Sequence, residues 1–162
     1  MTRHTPTPDS VRLRLAGLCA RSEQCEYDLR RKIARAGLTA EDSDDIIGFL
    51  RRERFIDDLR FARAFARDKA RFSGWGPAKI RAQLSARRIP PSVIAEALEA
   101  TDTSDLHESL IKAAKAKARN LDLSSRQDQA KLCRHLIGRG FSYSDFRKAV
   151  AKLQEDAAEE SD

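Results

Sequence analysis

Apolar residues recur with one spacing at three places in this chain: Leu29-Ile33-Leu38, Ile80-Leu84-Ile89 and Leu132-Leu136-Phe141. Within each triplet the gaps are four and five residues, and successive triplets lie 51 and 52 positions apart. An apolar pair follows at matching offsets, Ile94 and Leu98 after the second triplet and Phe146 and Val150 after the third. In the first copy Ile46 and Leu50 come three residues late, as a small loop insertion would produce. A four-residue gap puts two side chains on one helix face. Self-similarity at a fixed period marks a repeat architecture.

Punctuation recurs with the same period. Gly37 and Gly140 precede Leu38 and Phe141, where glycine can take the left-handed conformation that ends a helix without a Cβ penalty. Arg88 holds that place in the second copy, which costs on the order of 1 kcal/mol if the turn is the same. Final helices of each unit are signalled by Thr39 with Asp42, by Pro90-Pro91-Ser92 and by Ser142 with Asp145. Middle helices are expected to begin at Ser22, at Gly76-Pro77 and at Ser124-Ser125 with Asp128. First helices are read over Val11 to Ala20, Asp58 to Phe72 and Leu106 to Leu121.

The expected fold is therefore all-α: three tandem three-helix, helix-turn-helix-like repeats. Units this small cannot each enclose a full core, so neighbours should stack into an elongated, curved solenoid. The boundaries read as a flexible N-terminus over 1–10, repeats over 11–54, 55–101 and 102–153, and an acidic tail over 154–162, taken as a disordered modulator of charged contacts.

Composition supports this without adding to it. Charged residues make up 35% and hydrophobic ones 41%, with seven Gly and five Pro, the balance of a helix-rich globular chain rather than a disordered one. No window is long and apolar enough for a membrane span, and Met1 to Ser10 lacks the apolar segment of a secretory leader. Cys19, Cys25 and Cys133 form an odd set without close pairs, which suits a reducing compartment. The expectation is a cytoplasmic monomer that does not engage membrane.

Charge changes the picture more. The net charge is +6, and it is segregated: Arg51 to Arg88 holds twelve Lys or Arg against four acids, while the tail after Gln154 holds five acids and no base. Arg60, Arg63, Arg67 and Arg71 recur at three- or four-residue intervals and line one helix face, with Lys69 beside them. Lys79, Arg81, Arg87 and Arg88 follow on the next helix. Trp75 between the two is either a packed anchor or an exposed contact. Such a face is ordinarily only solvated, but with few acids to pair with it also suits nucleic acid or an acidic protein groove.

Other candidate chemistry is weaker. Asp57 and Asp58 read as an N-cap and a first-turn acid opposing the helix dipole, not as an acid–base pair. Cys133 and His135 fit no familiar zinc spacing and no nucleophile pair with an orienting third group. Gly74-Trp75-Gly76-Pro77 lacks the Gly-Lys-Ser/Thr ending of a phosphate loop. No metal, cofactor or catalytic residue is assigned, and the chain is read as a non-enzyme.

Two long motifs sharpen the reading: Phe55-Ile56-Asp57-Asp58 with Arg60-Phe61-Ala62, and Gly74-Trp75-Gly76-Pro77-Ala78-Lys79-Ile80-Arg81 with Leu84 and Ile89. With them go Ser22 and Tyr27-Asp28-Leu29-Arg30-Arg31-Lys32 in the first repeat, and Leu136 and Arg139-Gly140-Phe141-Ser142 in the third. On these residues the chain resembles the bacterial RecX family, regulators of the recombinase RecA, over nearly everything from Val11 to Leu153. The resemblance implies three tandem three-helix repeats that bind the RecA filament on single-stranded DNA, with weak direct DNA binding. It implies inhibition of RecA ATPase, strand exchange and coprotease activity, restraining recombination and the SOS response. Arg88 and the acidic C-terminal run depart from the shared pattern. The alternative is a helix-turn-helix regulator that reads duplex DNA.

Overall fold

The computed structural model describes residues 5–161. Among them are nine helices and no strand. The first repeat holds α1 (Pro8–Arg21), α2 (Glu26–Arg35) and α3 (Ala40–Arg52). The second holds α4 (Asp58–Ser73), α5 (Pro77–Ala86) and α6 (Pro91–Glu99). The third holds α7 (Thr103–Ala118), α8 (Arg126–Gly138) and α9 (Tyr143–Glu159).

The periodic apolar residues build three cores, one per repeat. Leu29, Ile33, Ile80, Leu84, Leu132 and Leu136 are all fully buried, each contributing about 2 kcal/mol of apolar transfer. Start signals act locally as expected at α3 and α9, where Thr39 with Asp42 and Ser142 with Asp145 form complete capping boxes. The turns also agree. Gly37, Arg88 and Gly140 have φ of 82°, 59° and 95°, so Arg88 does adopt the strained turn that glycine occupies in the other copies. Arg54, with φ 58°, is a second left-handed arginine that no signal in the chain announced.

Four expectations need correction. Ser22 ends α1 rather than starting α2, which begins after Cys25. Of the segment 1–10 expected to be flexible, residues 1–4 lie outside the described residues, and Pro8 to Ser10 form the first turn of α1, capped by Thr7. Helix α7 is shifted toward its N-terminus, starting at Thr103 behind an Asp102 cap and ending at Ala118. The acidic run is not disordered as far as Glu159: α9 continues through it, and Asp156 pairs with Lys152 at 2.8 Å and with Lys115 of α7 at 3.2 Å. Those two lysines neutralise the charge that would otherwise favour a solvated coil.

The repeats are joined where α4 packs on α7 and where the ends of their middle helices meet. At the second joint the C-terminal end of α8 meets the N-terminal end of α5: Gly76 and Ala78 amides donate to the carbonyls of Arg139 (2.8 Å) and Gly140 (3.0 Å). Gly76 offers no side-chain cap of its own, so a neighbouring repeat satisfies donors that helix starts leave open. The backbones are in such close contact that a Cβ on Gly76 would fall 2.5 Å from the Gly140 carbonyl. Arg139 then reaches back to donate to the Ser73 carbonyl at 2.7 Å. At the first joint Arg87, at the end of α5, pairs with Asp28 in the first turn of α2 at 3.2 Å, each charge opposing its own helix dipole. Cys25 of the first repeat is buried in the core of the second, and that burial pushes its thiol pKa up to about 11.

Candidate functional site

The basic residues singled out above all lie on α4, on α5 and on the segments that end them, and the structure sorts them into two groups. Asp57 starts α4 by accepting from the Arg60 backbone amide at 2.8 Å. Along the outer face of the helix that follows, each arginine has found a carboxylate. Arg63 pairs with Glu96 at 3.2 Å, Arg67 with Asp68 at 3.3 Å and Arg71 with Asp105 at 2.8 Å. Arg60 is committed further, to Glu23 at 2.6 Å and to the carbonyls of Arg54 and Phe55 at 3.1 Å, so it ties two repeats together. The stripe therefore exists, but its charge is largely matched. These half-exposed pairs are each worth about 1 kcal/mol or less.

The second group rests on aromatic rings instead. Lys69 and Lys79 place their ammonium groups 4.7 and 4.5 Å from the centre of the Trp75 ring. Trp75 meets Phe65 edge-on at 6.1 Å, and the guanidinium of Arg87 lies 5.1 Å above Phe65. Arg88 and Arg31 approach Tyr27 at 5.7 and 5.8 Å. Trp75 is thus both anchor and contact: half-buried against Phe65, with lysines over its ring. Lys69, Lys79, Arg81 and Arg88 make no salt bridge among the described residues. A ring quadrupole fixes a cation in place without neutralising it. Arg87 apart, which pairs with Asp28, the result is a row of positioned, uncompensated charges running from α5 to the start of α2, and Arg81 lies exposed on α5 beside it.

Tyr27, Phe65 and Arg31 belong to this row and escaped the sequence reading. Phe65 lies four residues from both Phe61 and Lys69, a spacing that could have flagged it; Tyr27 and Arg31 stand in the first-repeat motif, but nothing in the sequence joins that motif to α5. The arrangement can hold phosphate oxygens or carboxylates and offer ring faces to bases. Among the described residues no cluster of three or more His, Cys, Asp or Glu could hold a metal ion. Cys133 packs against the third core. His135 has its pKa lowered by burial, with Arg139 and Lys117 adding repulsion.

Comparison with known proteins places this surface in a family context. Residues 57–98 match the family model described as the second three-helix domain of RecX, and residues 104–150 match that of the third. The regulatory protein RecX of Vibrio parahaemolyticus is 30% identical over 154 residues, covering 95% of this chain and 97% of its own. That of Chromohalobacter salexigens is 33% identical over 154 residues, covering 94% and 95%. A crystal structure of RecX from Lactobacillus salivarius shares the fold with a TM-score of 0.72 at 20% identity, over 91% of this chain and 96% of that one. Another RecX crystal structure gives a TM-score of 0.74 at 24% identity, over 88% and 70%.

Proposed function

The chain belongs to the RecX family of regulatory proteins, and we propose that it is a non-enzymatic regulator of the RecA filament on single-stranded DNA. It lowers RecA ATP hydrolysis, strand exchange and coprotease activity, and so restrains recombination and the SOS response. It acts as a cytoplasmic monomer without a cofactor. The observation that carries the contact surface is the row Lys69-Trp75-Lys79 with Arg81 and Arg88. Lys69, Lys79 and Arg88 are held over aromatic rings yet lack carboxylate partners, as does the exposed Arg81, so binding a polyanionic groove costs no broken ion pair there. The paired stripe Arg63-Arg67-Arg71 must first surrender its acids and contributes less.

The duplex-reading alternative fares worse on the same geometry. A recognition helix needs cations or amides that can reach base edges near its N-terminus. The third helix of the first repeat instead opens with Glu41 and Asp42, and that of the second carries Glu96 and Glu99 with no cation. Like charges facing DNA repel it.

The test is single-stranded-DNA-dependent ATP hydrolysis by RecA as the chain is titrated in, with binding to bare DNA at matched salt as the control. Hydrolysis should fall without comparable competition for DNA. The Lys69→Glu and Lys79→Glu pair should abolish most of the inhibition at unchanged helicity, with Arg63→Glu and Arg67→Glu weakening it less. Undiminished hydrolysis with wild-type protein refutes the proposal, and equal effects from the two pairs refute the ranking of surfaces.

A further inference from the structure

Away from this row, a cavity of about 580 Å³ opens between the C-terminal end of α4, the outer side of α7 and the end of α8. Its walls differ in chemistry. Ala70, Gly74, Ala113 and Ala116 give a shallow apolar floor. Phe72 stands at the rim with 81% of its surface exposed, an unusual place for a phenylalanine in a chain whose other phenylalanines are buried or half-buried. Lys112 and Lys117 face the same space, and neither forms an ion pair among the described residues. Arg71 and Arg139 also line it but are engaged, with Asp105 and with the Ser73 carbonyl. Ser109 of α7 is 6% exposed, and its hydroxyl makes no hydrogen bond although it lines the cavity beside Gly74. A buried hydroxyl without a partner is costly unless something satisfies it.

We propose that this cavity binds a nucleoside phosphate, the base lying on Phe72 over the alanine floor, the phosphate toward Lys112 and Lys117, and the Ser109 hydroxyl bonded to the ligand. Two acids also line the cavity: Asp105 is taken up by Arg71, and Glu108 is outnumbered by Lys112, Lys117 and Arg139. A bare anion would leave Phe72 and the apolar floor without a role, and an apolar ligand would leave Ser109 and the lysines without one. His135, its pKa lowered by burial and by Arg139 and Lys117, adds a ring nitrogen to the wall. The volume lies in the range of small-ligand sites. The ligand is either a free mononucleotide or one unit of a single strand, since both present the same base and phosphate. The inference goes beyond the filament reading and does not depend on it.

The experiment is isothermal titration of the full chain, at low salt and without RecA, with adenosine monophosphate, with a short single-stranded oligothymidylate and with inorganic phosphate. At least one nucleotide ligand should bind, with inorganic phosphate about tenfold weaker or more. Loss of a stacking platform should make Phe72→Ala about fivefold weaker or more. Lys112→Ala should weaken binding and flatten its salt dependence. Ser109→Ala, which removes the unpartnered hydroxyl without adding bulk, should weaken binding while the thermal stability of the free chain is kept or raised. Binding of both ligands identifies a free nucleotide as sufficient, and binding of the oligonucleotide alone assigns the site to a strand. The proposal is overturned if neither nucleotide binds at millimolar concentration, if phosphate binds equally well, or if Phe72→Ala and Lys112→Ala leave affinity unchanged. Because RecA is absent, failure here leaves the filament proposal standing.

Discussion

Where the second repeat meets the third, backbone touches backbone: α5 amides donate to α8 carbonyls, and two glycines pass without room for a methyl group. Where it meets the first, Cys25 is buried in the shared core and the polar contacts come from long side chains, Arg60 with Glu23 and Arg87 with Asp28, with no backbone hydrogen bond between α5 and α2 among the described residues. The two joints use the same helix ends but opposite physics. Steric and amide contacts are insensitive to salt and intolerant of substitution. Ion pairs between partly exposed side chains are screened by salt and tolerate loss. The polar contacts to the third repeat should therefore resist salt, while those to the first weaken with it and leave the burial of Cys25 to hold that joint.

The hardest blow to this contrast is Gly140→Ala. A Cβ there would overlap the Lys79 backbone nitrogen, at a φ of 95° that alanine adopts only under strain. Destabilisation of about 2–4 kcal/mol is expected, measured by urea unfolding. A midpoint shift worth under about 1 kcal/mol would show that the joint relaxes freely.

Next come the two equivalent arginines. Arg139→Ala removes a charged donor from the Ser73 carbonyl and should cost about 1.5–3 kcal/mol, whatever the salt. Arg87→Ala should cost about 1 kcal/mol or less, and raising salt should shrink the difference from wild type. Equal costs with equal salt dependence would erase the distinction between the joints.

Arg88→Gly probes the turn between them. Relief of the left-handed conformation should stabilise the chain by about 0.5–1 kcal/mol, reduced by loss of the Tyr27 contact. A lower melting temperature would mean the ring contact outweighs the strain.

The smallest effect is on pH. Burial alone would raise the Glu26 pKa, but hydrogen bonds from Arg51 and Arg30 outweigh it and hold the carboxyl below its ordinary range. A depressed folded-state pKa gives stability that is present above the unfolded value and lost as pH falls through the folded one. Acidification below about pH 4 should thus loosen the first repeat, and Glu26→Gln should flatten that part of the stability profile. A profile identical to wild type would remove Glu26 from the account.

Much of this fold was legible because its signals are local. The triplets Leu29-Ile33-Leu38 and their copies needed only helix periodicity, and the capping boxes at Thr39 and Ser142 act within four residues. Even Arg88 was placed in its strained turn by register with Gly37 and Gly140. The misreadings came where distant residues decide. Ser22 is a good helix starter by type, yet α2 starts after Cys25, a poor one, because that thiol fills the neighbouring core. The acidic end of α9 depends on Lys115, forty-one positions from Asp156. For the candidate surface, composition located the charge but could not say which arginines had partners. The same stretch of α4 carries matched Arg63 and unmatched Lys69, and only the positions of Glu96 and Trp75 separate them.

The way the middle helices end also sets how long such an array can grow. An end-to-end contact of this kind, repeated between molecules, is heterologous and generates open fibres unless something stops it. Here the two outer ends differ in their side chains from the ends that meet at the joints. Ala36 stands in α2 where Arg87 and Arg139 stand in α5 and α8, so the first repeat offers no arginine to a unit beyond it. At the other end, α8 is capped by its own Ser125 rather than left open like Gly76. Two residues, one at each outer end of the row, thus withhold from a neighbouring molecule the arginine and the open helix start that the inner joints use.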